Sequence, residues 1–355
     1  MEPNRRRFLF GCGVGVLGAA AGPARVWGES RVRILDGSAD LGSPPVMNQV
    51  SPDFQRWMRE IRVGQAATHG ALQVFWLHAK EPAAPLPASI LNVLTLDEAR
   101  KEGSLLITER ADASVPELVV ESRAKNHVLL LAGEILVGGK QNRVLREDIL
   151  LPPLSGPRPI GVYCVEQGRW NQSRKDFDSK GTVAQPSVCQ QLLGRASQNR
   201  VWDSVARAAR EANPSAPPSP TGSYQAIYDD EKLQTHLKEV ERAVPPMHSG
   251  AHGAAVFAGG TLSGLDLFHS TSLFTREWPK LLRAHAVEAY RLPPPKDPAD
   301  TALPVQIEKL LAQAARAEGA VRRNAGDGLL FEFQVGSSRG VSLVYDGRIV
   351  HTAIL

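Results

Sequence analysis

The stretch Asn213-Pro214-Ser215-Ala216-Pro217-Pro218-Ser219-Pro220-Thr221-Gly222 admits neither helix nor strand. Each proline removes a backbone donor and fixes its own φ, so regular hydrogen bonding stops there. A linker or exposed loop is expected, with the fold arranged on either side of it. Residues 29–45, rich in Gly, Ser and Pro, read as a flexible tether, and Pro293-Pro294-Pro295 is a third breaker.

Between the breakers, two hydrophobic periods alternate. Val128 to Ala132 is a continuous apolar run, as in a buried strand. Ile160, Val162 and Cys164 alternate with other residues, as do Leu329, Phe331, Phe333 and Val335, which marks half-buried strands over 160–165 and 329–335. Helical faces recur at Val201, Val205 and Ala208, at Leu233, Leu237 and Val240, and at Trp278, Leu281, Leu282, His285 and Ala289. Pro304 suits the start of a helix bearing Ile307, Leu310 and Leu311. Thr95 and Glu98 form a capping box, and Gly103 ends the short helix it opens. The expected class is α+β, with mixed or antiparallel β-hairpins and packed helices. The spacing A-G-x-x-L-x-G occurs at both 132–138 and 258–264, each time after an apolar strand. Either two hairpins look alike, or the domain at 46–355 holds two related lobes, about 46–212 and 223–355.

The first residues read as a signal. Asn4-Arg5-Arg6-Arg7-Phe8-Leu9 has the twin-arginine form, and a Gly/Ala-rich run from Gly11 to Gly22 follows. That run is too short to span a bilayer, which takes roughly 20 apolar residues. A signal over 1–28, periplasmic or secreted localisation and no membrane contact after its removal are therefore expected. The formal charge of +4 misleads. Arg5, Arg6, Arg7 and Arg25 belong to the signal, so the remainder is nearly neutral and gives no case for nucleic acid. Cys12 leaves with the signal; Cys164 and Cys189 either pair or stay as buried thiols.

The densest polar text is AGEILVGGKQNRVL at 132–145, followed by CVEQGRW at 164–170. Arg143, Arg169 and Lys140 can bind phosphate or carboxylate, Gln141, Asn142 and Gln167 can read a base or sugar, and Trp170 can stack. Glu134 and Glu166 are the acids of the two runs, hence the candidate general acid and base. The alternative is that these groups satisfy one another as a scaffold. Glu134, Arg143, Glu166 and Arg169 are expected to lie together, because each run follows an apolar strand and an unpartnered charge there is expensive.

LLLAGEILVGGKQNRVL, LLPP, VYCVEQGRW, GLDLF and WPKLLRAHAVEAY together resemble the ARPP family, domains associated with ADP-ribosylglycohydrolases and the rhodanese-phosphatase superfamily. The resemblance covers about residues 90–350. It implies ADP-ribose or a related nucleotide as ligand, and no particular reaction.

Other motifs carry less. His248 and His252 have metal-ligand spacing, but Pro245, Pro246 and Gly250 make a loop of them, so no metal is expected. No G-x-S-x-G, P-loop or strand-to-helix G-x-G-x-x-G follows the signal, and no cofactor or protein partner is indicated. Asp266 reads as a strand-end surface charge unless the lobes close over it, and His285 as core. Two functions remain: an exported protein that binds or processes an anionic small molecule through 134–170, and a non-catalytic interaction module in which that cluster is structural.

Overall fold

The computed structural model describes residues 33–34, 52–80, 91–110, 116–171, 174–213, 219–244, 250–297 and 300–355. The expected signal, most of the tether, His248 and residues 214–218 of the proline-rich stretch lie outside them. The chain is α+β, as its periodicities predict.

A nine-stranded sheet has the order β1 (Arg33–Ile34), β15 (Gly319–Arg322), β16 (Leu329–Val335), β17 (Ser338–Tyr345), β18 (Arg348–Ile354), β14 (Thr261–Phe268), β13 (Gly253–Ala258), β3 (Leu72–Ala79), β2 (Ile61–His69). A six-stranded antiparallel sheet runs β12 (Phe177–Val183), β8 (Glu134–Gly138), β9 (Arg143–Leu145), β11 (Arg158–Cys164), β6 (Glu117–Ser122), β5 (Leu105–Glu109). Three short strands, β10 (Ile149–Leu151), β7 (Val128–Leu130) and β4 (Leu94–Thr95), form a third. The helices are α1 (Pro52–Glu60), α2 (Leu96–Lys101), α3 (Pro186–Leu193), α4 (Gln198–Ala212), α5 (Gln225–Tyr228), α6 (Glu231–Ala243), α7 (Thr271–Ala289) and α8 (Ala302–Ala314). The capping box holds α2 as its sequence predicts: Glu98 N–H donates to Thr95 Oγ1 at 3.2 Å, and Thr95 N–H to Glu98 Oε2 at 2.9 Å.

The chain does not divide at the proline-rich stretch. β3 pairs along its length with β13, from Leu77↔Gly253 to Leu72↔Ala258, so the large sheet takes strands from both sides of 213–222. Residues 91–244 are instead an excursion between two neighbouring strands of that sheet. The repeated A-G-x-x-L-x-G text is likewise not one motif used twice. Gly259 and Gly260, both at positive φ, turn the β13–β14 hairpin. Gly133 instead links β7 to β8, which lie in different sheets.

Alternation sends the two faces of the large sheet to different cores. Phe75, Phe257, Leu265, Leu267 and Phe331 pack with α1 and α8. Val74, Trp76, Val256, Phe268 and Leu343 pack with α7 and the helices of the excursion. Two β-bulges break the alternation. One leaves Ser263 unpaired between Gly264↔Val256 and Leu262↔Phe257. The other leaves Val350 unpaired between His351↔Leu343 and Ile349↔Val344. Ile349 faces the α1 side, and strict alternation would send His351 there too. The extra residue instead turns His351 to the α7 side, opposite Phe268.

Candidate functional site

The 138–143 and 164–170 runs do meet, and they occupy one another. Glu166 Oε2 accepts from the Asn142 N–H at 3.0 Å and from Arg169 Nε at 2.8 Å, while Oε1 accepts from Thr221 Oγ1 at 2.9 Å. Burial alone would raise its carboxyl; these donors hold it below the usual range. Arg169 also donates to Gly139 O at 2.8 Å and Asn142 Oδ1 at 3.0 Å. Asn142 Nδ2 donates to Ser223 Oγ, Gln141 Nε2 to Glu166 O, and Arg143 Nη1 to Gln141 O. The Lys140 N–H donates to Glu109 Oε1, and its ammonium stands 5.5 Å from the ring centre of exposed Trp170. Gln167 faces an apolar hollow beside α4 and α5.

Glu134 does not belong to that cluster, contrary to expectation. Its position at the first residue of β8 points it toward α7, where it pairs with Lys280, and its Oε2 accepts the Leu131 N–H at 2.7 Å. Lys280 also meets Glu277 at 2.6 Å and Asp97 at 3.1 Å. Burial pushes the Glu134 carboxyl up to about 8, with Lys280 opposing and Glu277 and Asp97 adding to the rise. Glu134 and Glu166 therefore stand in separate networks and do not form an acid–base pair.

A third network lies on the same face of α7. Lys280, Leu281, Ala284 and His285 follow one another at helical spacing along the buried face, with half-buried Glu288 one turn on. His351 Nδ1 stands 2.7 Å from Asp148 Oδ2, and its Nε2 stands 3.1 Å from Asp266 Oδ1. Asp266 Oδ2 lies 3.7 Å from His285 Nε2, and His285 Nδ1 is 2.8 Å from Ser263 Oγ. Asp148 is fixed by the Ala132 N–H, which donates to its Oδ1 at 2.8 Å. All five side chains are buried. Burial would lower the His351 imidazole, but Asp148 and Asp266 outweigh it and lift it to about 10. Burial likewise opposes ionisation of Asp266, yet His285 and His351 hold it down to about 2. His351 is thus an imidazolium and Asp266 a carboxylate at neutral pH.

These groups border a cavity of about 40 Å³ that Leu131, Ala132, Cys189, Leu281 and Leu355 also line. Ser263 is not on its wall, so its hydroxyl orients His285 from behind. Cys164 and Cys189 are free and buried, and burial raises the Cys189 thiol, with Asp266, Glu288 and Asp148 adding to the effect. A side chain at Gly133 would strike Cys189, its Cβ falling 2.6 Å from Sγ. Glu288 accepts from the Ser187 N–H and Oγ at the start of α3, which fixes the helix carrying Cys189.

Sequence reasoning leaves Asp266 as either a strand-end surface charge or a site residue and reads His285 as core; Asp266 is buried, and His285 is a core residue that meets it. Asp148, His351 and Ser263 are functional candidates that sequence reasoning does not single out. A signal existed: Asp266 and His351 each interrupt an apolar strand, in Gly264-Leu265-Asp266-Leu267-Phe268 and Ile349-Val350-His351-Thr352-Ala353. Among the described residues no group of His, Cys, Asp and Glu is arranged to hold a metal ion, and no helix is long and apolar enough to cross a membrane. Both nitrogens of His351 already face carboxylates.

The model of one protein family, the ARG and Rhodanese-Phosphatase-superfamily-associated Protein domain, ARPP-1, matches residues 60–355. No curated protein and no solved structure matches the chain.

Proposed function

The chain belongs to the ARPP-1 family, and on that premise we propose that it binds or processes an anionic, nucleotide-like small molecule at the Asp148–His351–Asp266–His285 network. The observation that carries this reading is His351 held between two buried carboxylates at the edge of a cavity. Buried ion pairs are a poor source of stability, and apolar residues of similar volume often serve as well or better. Ionisable groups clustered in a core beside an empty space are what acid–base sites require. Asp266 is the fixed anion, and His285 is the group that moves a proton. His285 Nε2 faces Asp266 Oδ2 at 3.7 Å, a long contact that a hydroxyl or water in the cavity could share. A cavity of about 40 Å³ has room for at least one water and is small beside ligand sites of about 300–1,000 Å³. Only the reacting end of a ligand would enter it.

The family's association with ADP-ribosylglycohydrolases supports a nucleotide-like ligand. For the 134–170 cluster, its dense internal hydrogen bonding supports the scaffold alternative. The twin-arginine text supports export to the periplasm or beyond; unchanged delivery outside the cytoplasm after Arg5→Lys and Arg6→Lys would refute it. The central test is a thermal-shift and NMR turnover screen against ADP-ribose, AMP and ribose 5-phosphate. A ligand of the native state raises Tm, and Asp266→Asn or His351→Gln should abolish that rise or the turnover. An equal response in folded Asp266→Asn and His351→Gln would remove the proposal.

A further inference from the structure

A larger hollow lies beyond Leu193, which lines both it and the cavity. It measures about 310 Å³, within the range of small-molecule sites. The loop between β9 and β10 serves both spaces: Asp148 faces the cavity, while Arg146 and Glu147 face the hollow. Arg195, Arg322 and Arg339 complete a set of arginines around it.

These arginines are not equally engaged. Arg322 is neutralised by Glu147 and Glu332, each at 2.6 Å, and Arg195 shares Glu332 at 2.9 Å. Arg339 has no side-chain hydrogen bond or ion pair among the described residues. Arg146 Nε is buried without a hydrogen bond; it faces Glu147 at 3.6 Å, a carboxylate that Arg322 already holds. A glycine gives the Arg146 guanidinium its room. A Cβ at Gly161 would fall 2.5 Å from Arg146 Cζ. Glu318, also on the wall, is exposed, so water and salt screen its charge.

We propose that this cleft is a phosphate subsite, in which Arg339 and Arg146 grip the phosphate groups of a small ligand. Guanidinium groups are planar, permanently charged forks that match phosphate oxygens two at a time. Arg339 and Arg146, the arginines of the set not held by a hydrogen-bonded carboxylate, both line this one concave surface. The proposal rests on the preceding reading in one respect: a ligand held here extends its reacting end past Leu193 toward His285.

The test is calorimetric titration of the full chain with inorganic pyrophosphate and, separately, AMP. Pyrophosphate reports the phosphate grip alone, and AMP reports whether a nucleoside adds to it. Wild type should bind, Arg339→Glu should bind at least about tenfold more weakly, and Arg339→Lys should fall between, because a lysine keeps charge but loses the fork. Arg339 is exposed, so these variants should fold. Lys309→Glu on the exposed face of α8 controls for net charge and should bind as wild type. Absence of binding by wild type to both probes at about 10 mM, near the weak limit of specific recognition, would overturn the subsite. So would wild-type affinity in Arg339→Glu, or an equal loss in Lys309→Glu. The two readings separate cleanly. If Arg339→Glu loses pyrophosphate while His351→Gln leaves the ribose 5-phosphate response intact, the cleft stands and the cavity reading falls.

Discussion

His351 and Asp148 stand 203 positions apart in sequence and 2.7 Å apart in space, Nδ1 to Oδ2. The contact ties the β18 strand of the large sheet to a loop of the excursion, and it holds a proton as well as a position. The imidazole's affinity for that proton rises from the ordinary 6.5 to about 10. Stability from this source is fully present below pH 6.5, where the unfolded chain is also protonated. It is lost as pH rises toward 10. Melting temperature should therefore fall across that window in wild type and fall less in His351→Gln. Parallel pH–Tm curves for the two proteins would mean that His351 is not the titrating group.

Glu166→Gln separates scaffold from ligand site in the 134–170 cluster. The carboxylate accepts from a backbone N–H, a guanidinium and a hydroxyl, and an amide cannot replace an anion toward all three. The expected result is a Tm lower by several degrees. Any ligand-induced shift should remain as in wild type. An unchanged Tm with loss of the ligand response would reverse the assignment.

Lys280→Met should be among the most damaging substitutions in the chain. It leaves Glu134 and Glu277 facing each other in the core without their cation. Breaking a buried pair in this way costs about 3–5 kcal/mol. Urea denaturation should show that loss above pH 8, where the Glu134 carboxyl is ionised in wild type, and adding Glu134→Gln should recover part of it. A loss below about 1 kcal/mol, the level of an exposed pair, would show that water reaches the cluster.

Much of the fold was legible because it depends on neighbours in sequence. The α2 capping box and the strands expected over 160–165 and 329–335 each follow from a few adjacent residues. The meeting of the 138–143 and 164–170 runs was also legible, since two charged runs beside apolar strands have to find partners. What stayed hidden depends on register. Asp266 looks like a surface charge until β14 is placed between β13 and β18, which puts His351 beside it. Glu134 went to the wrong partner because Lys280 sits on a helix nearly 150 residues away, at a turn position that no local pattern reveals. The bulge at Val350 is equally silent in sequence, yet it decides which core receives His351.

The pairing of β3 with β13 also bears on how the chain reaches this state. Joining Leu77 to Gly253 closes a very long loop, and the entropic penalty grows only as the logarithm of its length. The rate suffers more than the equilibrium, because non-local strand pairing makes folding slow. The seam can form readily once the excursion has collapsed and brought its two ends close. Until then the large sheet exposes two unpaired strand edges at its centre, β3 on one side and β13 on the other. Those edges are where a refolding sample would aggregate first.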